Sequence, residues 1–112
     1  MWRLCGGVLS STDAQLYVEL WVSLASLLRS YTSMHGLNGD RQATVELGEA
    51  RITVRHGNKW LDLKRDGAVV MWRWDDGREG RMELTERGQL RSGDREEEMD
   101  LLANDWAQEL MA

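Results

Sequence analysis

The 112-residue chain has no proline, no phenylalanine and a single cysteine, Cys5. One cysteine excludes an internal disulfide and suits a reducing, cytoplasmic setting. Without phenylalanine, the large apolar anchors are six tryptophans together with leucine and methionine. Long hydrophobic runs are also missing. The opening MWRLCGGVLSS is broken by Gly6 and Gly7, whereas a signal peptide requires a continuous apolar stretch of ~7–15 residues. The most apolar segment further on is interrupted by Glu19, Ser23 and Ser26, too polar a pattern to span a bilayer. Positive charge is in short supply: 14 basic residues face 19 acidic ones, for a net charge of −5. That balance disfavours nucleic acid and anionic membranes as partners.

The chemistry-bearing motifs are absent too. No glycine-rich phosphate loop of recognised spacing occurs. HGNK at 56–59 and DDGREG at 75–80 read as hairpin turns, and the second lacks the alternating oxygen ligands and distant glutamate of a calcium loop. His35 and His56 lie far apart, and zinc would need two further close ligands where only one cysteine exists. His35 falls near a helix C-terminus, a favourable place for a protonated imidazole. The run Glu96–Glu97–Glu98 reads as a solvated helix start rather than a metal site. No catalytic, cofactor-binding or metal-binding residue is therefore nominated, no cofactor is implied, and enzymatic activity is left undecided.

The length fits one domain spanning 1–112, large enough to bury a core without disulfide or metal. Residues 1–10, with Trp2, Leu4, Val8 and Leu9 in no clean period, read as an arm or short edge strand. From 12 to 35 the pattern is helical. Thr12 and Gln15 make a capping box, and apolar residues follow at Leu16, Tyr17, Leu20, Trp21, Leu24, Leu27, Leu28, Tyr31 and Met34. Ser23, Ser26 and Ser30 form a small, mildly polar opposite face. HGLNGD is a loop, and from 42 to 91 the period is two. Segments around Val45, Ile52, Leu61, Val70 and Met82, with a short one at Gln89–Arg91, are separated by glycine-bearing turns. Residues 94–111 read as a second helix, with Asp94 and Glu97 as its capping box and Met99, Leu102, Ala103, Trp106 and Leu110 as its stripe. The order predicts an α+β two-layer sandwich: a long N-terminal helix, an antiparallel meander of five or six strands, and a C-terminal helix, both helices on one face.

The segment VVMWRW is apolar on both faces. Val70, Trp72 and Trp74 alternate with Val69, Met71 and Arg73. This predicts a central strand covered on both sides, the second cover being the N-terminal arm or a partner subunit. Tryptophan at period two is most simply core. The interface or ligand surface, if there is one, is expected at Trp60, Val69, Met71, Trp72, Arg73 and Trp74, since aromatic residues and arginine are enriched at interfaces. The expected function is non-enzymatic, through protein–protein contacts or homodimerisation. The alternative is a small-ligand module or enzyme with a tryptophan-lined cleft between helices and sheet. A third reading places single-stranded nucleic acid on the sheet face bearing Arg51, Arg55, Arg73 and Arg81.

At the level of architecture, the helix–meander–helix order resembles frataxin. Its acidic first-helix ridge is matched here only by Asp13 and Glu19, so its iron chemistry is not implied. Small acidic secretion chaperones are similar in size and charge but carry a helix between strands. In kind, the chain resembles small uncharacterised bacterial proteins such as the products of integron gene cassettes, which implies a compact α+β fold.

Overall fold

A computed structural model describes the backbone of residues 6–36 and 43–112 and the side chains of residues 15–36 and 43–112. The expected arm around Trp2, Leu4 and Cys5, the side chain of Thr12 and most of the HGLNGD loop lie outside these bounds. The first helix, α1, spans Gly6–His35. It therefore takes in residues 6–10, read from sequence as arm or edge strand, and begins before Thr12. A capping box marks a preferred start but raises no barrier to helix upstream of it. Once nucleated, a helix gains a hydrogen bond per added residue, and no proline removes a donor here. The buried stripe of α1 is Trp21, Leu24, Ala25 and Leu28, at the 3–4 residue spacing of one face. Thr32, also buried, satisfies its hydroxyl by donating to the Leu28 carbonyl at 2.7 Å.

Among the described residues seven strands follow: β1 (Thr44–Leu47), β2 (Arg51–His56), β3 (Lys59–Asp66), β4 (Val69–Trp74), β5 (Glu79–Leu84), β6 (Gln89–Ser92) and β7 (Arg95–Glu98). They form one sheet in sequence order, every neighbour antiparallel. Three hairpins close through two-residue loops that begin with glycine at positive φ: Gly57, Gly67 and Gly93. That backbone hand matches the twist of the flanking strands, and a side chain there would be strained.

The seventh strand corrects the sequence reading. Residues 95–98 are not the first turn of the C-terminal helix but an edge strand, with Ser92 opposite Arg95 and Arg91 opposite Glu96. The Gly93–Asp94 loop repeats the pattern of the two earlier hairpins, and the side chain of Gln89 donates to Glu98 at 3.2 Å. Charged residues suit an edge that must not recruit another sheet. The second helix, α2, then spans Met99–Met111, with Glu98 as N-cap and no side-chain cap bond. The Met99 amide instead donates to the Gly88 carbonyl at 3.3 Å.

Alternation divides the sheet. Ile52, Val54, Leu61, Leu63, Val70, Trp74, Leu84 and Leu90 are buried on one face and join Trp21, Leu24 and Leu28 of α1 and Leu102, Trp106 and Leu110 of α2 in a single core. Both helices thus cover the same face, as the α+β two-layer reading requires. Each such side chain contributes about 1.5–3 kcal/mol on removal from water. The two helices pack against each other, and Ala25 of α1 and Ala103 and Ala107 of α2 are all inaccessible to solvent. Two polar ties reinforce them: the Tyr31 hydroxyl donates to Asp100, and His35 Nε2 lies 2.8 Å from Asn104 Oδ1. Ser23, Ser26 and Ser30 face solvent instead. No described helix is long and apolar enough to cross a membrane.

Candidate interaction face

The second face of the sheet carries the residues between the core positions, and among the described residues no element covers it. β4 is central, as expected, yet Met71 is 56% exposed and Arg73 is also open. The six nominated residues separate. Trp60, Val69, Met71 and Arg73 share the outer face. Trp72 and Trp74 point to the helices, because they pair with the core residues Leu63 and Leu61. Trp74 is 4% exposed, with the Arg78 guanidinium stacked 5.3 Å from its ring centroid. Trp72 is half-buried over Gly80, its cross-strand partner, whose missing Cβ leaves room for the indole. The interval between helices and sheet, where a tryptophan-lined cleft was expected, is packed with Trp21, Trp74 and Trp106.

Strand pairing arranges the outer face in rows that run across the strands. One row reads Glu46, Thr53, Asp62, Arg73, Glu79 from β1 to β5. The adjacent row reads Arg51, Lys64, Met71, Arg81 from β2 to β5. Asp62, 7% exposed, is the buried charge here. Its Oδ1 accepts from Arg51 Nε at 2.7 Å and from the Thr53 hydroxyl at 3.0 Å. A buried carboxylate requires such partners. The same contact holds the Arg51 guanidinium above its ordinary range, first through the hydrogen bond and then through Coulomb attraction. The side chains of Arg55, Lys64 and Arg73 have no ion pair or hydrogen bond among the described residues. Together with Trp60, Thr53 and Met71 they line a shallow depression of about 440 Å³.

No group of three potential metal-ligating side chains occurs among the described residues. The buried carboxylate is already engaged twice. What the face offers is contact: charge, one indole and one thioether on the central strands of the sheet. Sequence reasoning reached half of this. WLDLK shows that Trp60, Asp62 and Lys64 share a face, but only the strand register shows that Thr53, Arg51 and Arg73 stand beside them. Set against known proteins, the chain matches no protein-family model, no curated protein and no solved structure.

Proposed function

We propose that the protein is a non-enzymatic binding protein whose outer sheet face is its contact surface, and that the primary partner is a second copy of the chain. The observation that carries this is Met71, 56% exposed at the middle of the central strand on a face with no cover among the described residues. A central strand of a seven-stranded sheet ordinarily has both faces shielded or its outer positions polar. Six spacings of ~4.8 Å and strands of ~20 Å give this face roughly 600 Å² in projection. That is of the same order as the ~800 Å² per partner of a standard interface. The single cysteine fits a cytoplasmic setting, and the resemblance in kind to integron cassette products suggests a bacterial source.

A second reading is favoured by the depression lined by Arg55, Trp60, Lys64 and Arg73, whose size suits a small ligand. It differs from the sequence alternative in lying outside the sheet rather than beneath the helices. Sedimentation across micromolar concentrations tests the first reading. It expects a concentration-dependent species of twice the 12.9 kDa chain mass; a monomer throughout would remove it. Quenching of Trp60 fluorescence by a small molecule in monomeric protein would favour the second.

A further inference from the structure

We infer, on the reading of the outer face as a self-association surface, that two copies pack face to face about a two-fold axis running across the strands between the two central rows. Those rows carry opposite charge. Glu46, Asp62 and Glu79 outnumber Arg73 in one, whereas Arg51, Lys64 and Arg81 stand with neutral Met71 in the other. A two-fold axis between the rows lays the acidic row of one copy on the basic row of the other, strand over like strand.

The register decides the orientation. With the axis across the strands, Asp62 meets Lys64 of the second copy on β3, and Glu79 meets Arg81 on β5. Thr53 meets Arg51, and the Arg73 stem lies over Met71 at the centre. Every carboxylate on β2–β5 of the acidic row acquires a cation. A two-fold axis along β4 does the reverse. It sets Glu79 over Asp62, Arg81 over Lys64, Glu83 over Asp66 and Arg73 over itself. Like charges brought together across an interface oppose association strongly. Facing sheets lie ~10 Å apart with strands within ~30° of alignment. A lysine or arginine reaching toward a carboxylate spans that gap. Two of the cations this requires are available: Lys64 is unpaired among the described residues, and Arg81 has only a loose 4.0 Å approach to Glu83. The isologous arrangement closes with two copies and leaves no surface to propagate.

The test uses the Glu79–Arg81 pair, both of whose side chains are exposed on the outer face. Glu79→Arg and Arg81→Glu are made separately, and each is checked by circular dichroism and thermal melting for an unchanged fold. Each alone is expected to weaken self-association at least tenfold, because it faces like with like at two symmetric places. Mixed together they are expected to form a one-to-one heterodimer, and the double variant in one chain to dimerise like wild type. Single variants that dimerise like wild type overturn the axis while the self-association reading stands. Monomeric single variants that are not rescued by mixing overturn it equally. A wild-type monomer removes both.

Discussion

Gly80 provides a prediction whose sign runs against local propensity. Glycine inside a strand is ordinarily a weakness: replacing it with alanine removes unfolded-chain freedom and is worth about 0.5–1 kcal/mol in the folded state's favour. Gly80 has no left-handed backbone to protect, so local reasoning predicts that Gly80→Ala stabilises. The packing predicts otherwise. A Cβ on Gly80 would stand 2.7 Å from Trp72 Nε1 and 2.5 Å from Cε2, and closer still to Cζ2. Ordinary contacts between such atoms are ~3.5–4.0 Å. The indole must therefore swing off the strand or the strands must part. Overpacking of this kind costs about 1–3 kcal/mol, which exceeds the propensity gain and leaves a net loss of roughly 1–2 kcal/mol. For a domain of this size that lowers the melting temperature by roughly 5–10 °C. The assay is thermal and urea unfolding of four proteins: wild type, Gly80→Ala, Trp72→Leu and the double variant. In the Trp72→Leu background the alanine should be neutral or stabilising, giving a coupling above about 0.5 kcal/mol. A Gly80→Ala protein as stable as wild type, or additive behaviour in the cycle, would refute the placement of Trp72 over Gly80.

Other outcomes follow from the same contacts. The Tyr31 phenol is held protonated above its ordinary value of 10.0, first by its hydrogen bond to Asp100, then by burial and by the nearby carboxylate charge. The contact's contribution is thus fully present below the unfolded value and is lost as pH rises through the folded one. In an alkaline ultraviolet titration Tyr31 should ionise late, and Asp100→Ala should bring it back toward the ordinary value. The Asp76 carboxyl is held below 3.8, chiefly by the Arg78 backbone amide at 3.0 Å and also by the Arg78 guanidinium. That contribution is present above the unfolded value and lost as pH falls through the folded one. NMR titration of the carboxyl should show the depression, and Arg78→Ala, which keeps the backbone donor, should reverse only part of it. Trp74→Ala should cost about 3–5 kcal/mol in urea unfolding, a large share of the ~5–15 kcal/mol stability of a domain. A loss below 1 kcal/mol would contradict its place in the core.

Much of this architecture is legible in the sequence, because burial on one face writes a period. Ile52 and Val54, Leu61 and Leu63, and Leu102, Trp106 and Leu110 announce strand or helix by spacing alone. The misreadings occur where local signals compete. DREEE satisfies a capping box and also an edge strand, and the pairing of Arg91 with Glu96 and Leu90 with Glu97 decides for the strand. SSTD looks like a helix start but is overridden by propagation from the apolar stripe downstream. VVMWRW is apolar on both sides, so its alternation does not say which face meets the helices. The partners of Trp72 and Trp74 in β3, Leu63 and Leu61, settle it. The charged rows of the outer face depend on register across five strands, and no periodicity within one segment encodes that.

The claim that the outer face is covered by a second copy can be measured through two methionines that differ only in where they lie. Met71 on the outer face is 56% exposed and Met34 on α1 is 57% exposed, so in isolated chains a mild oxidant should reach them alike. Peroxide footprinting read by mass spectrometry across a range of protein concentrations compares their rates. The account predicts equal oxidation at high dilution and growing protection of Met71, with none for Met34, as concentration rises. Equal oxidation of the two at every concentration would contradict it.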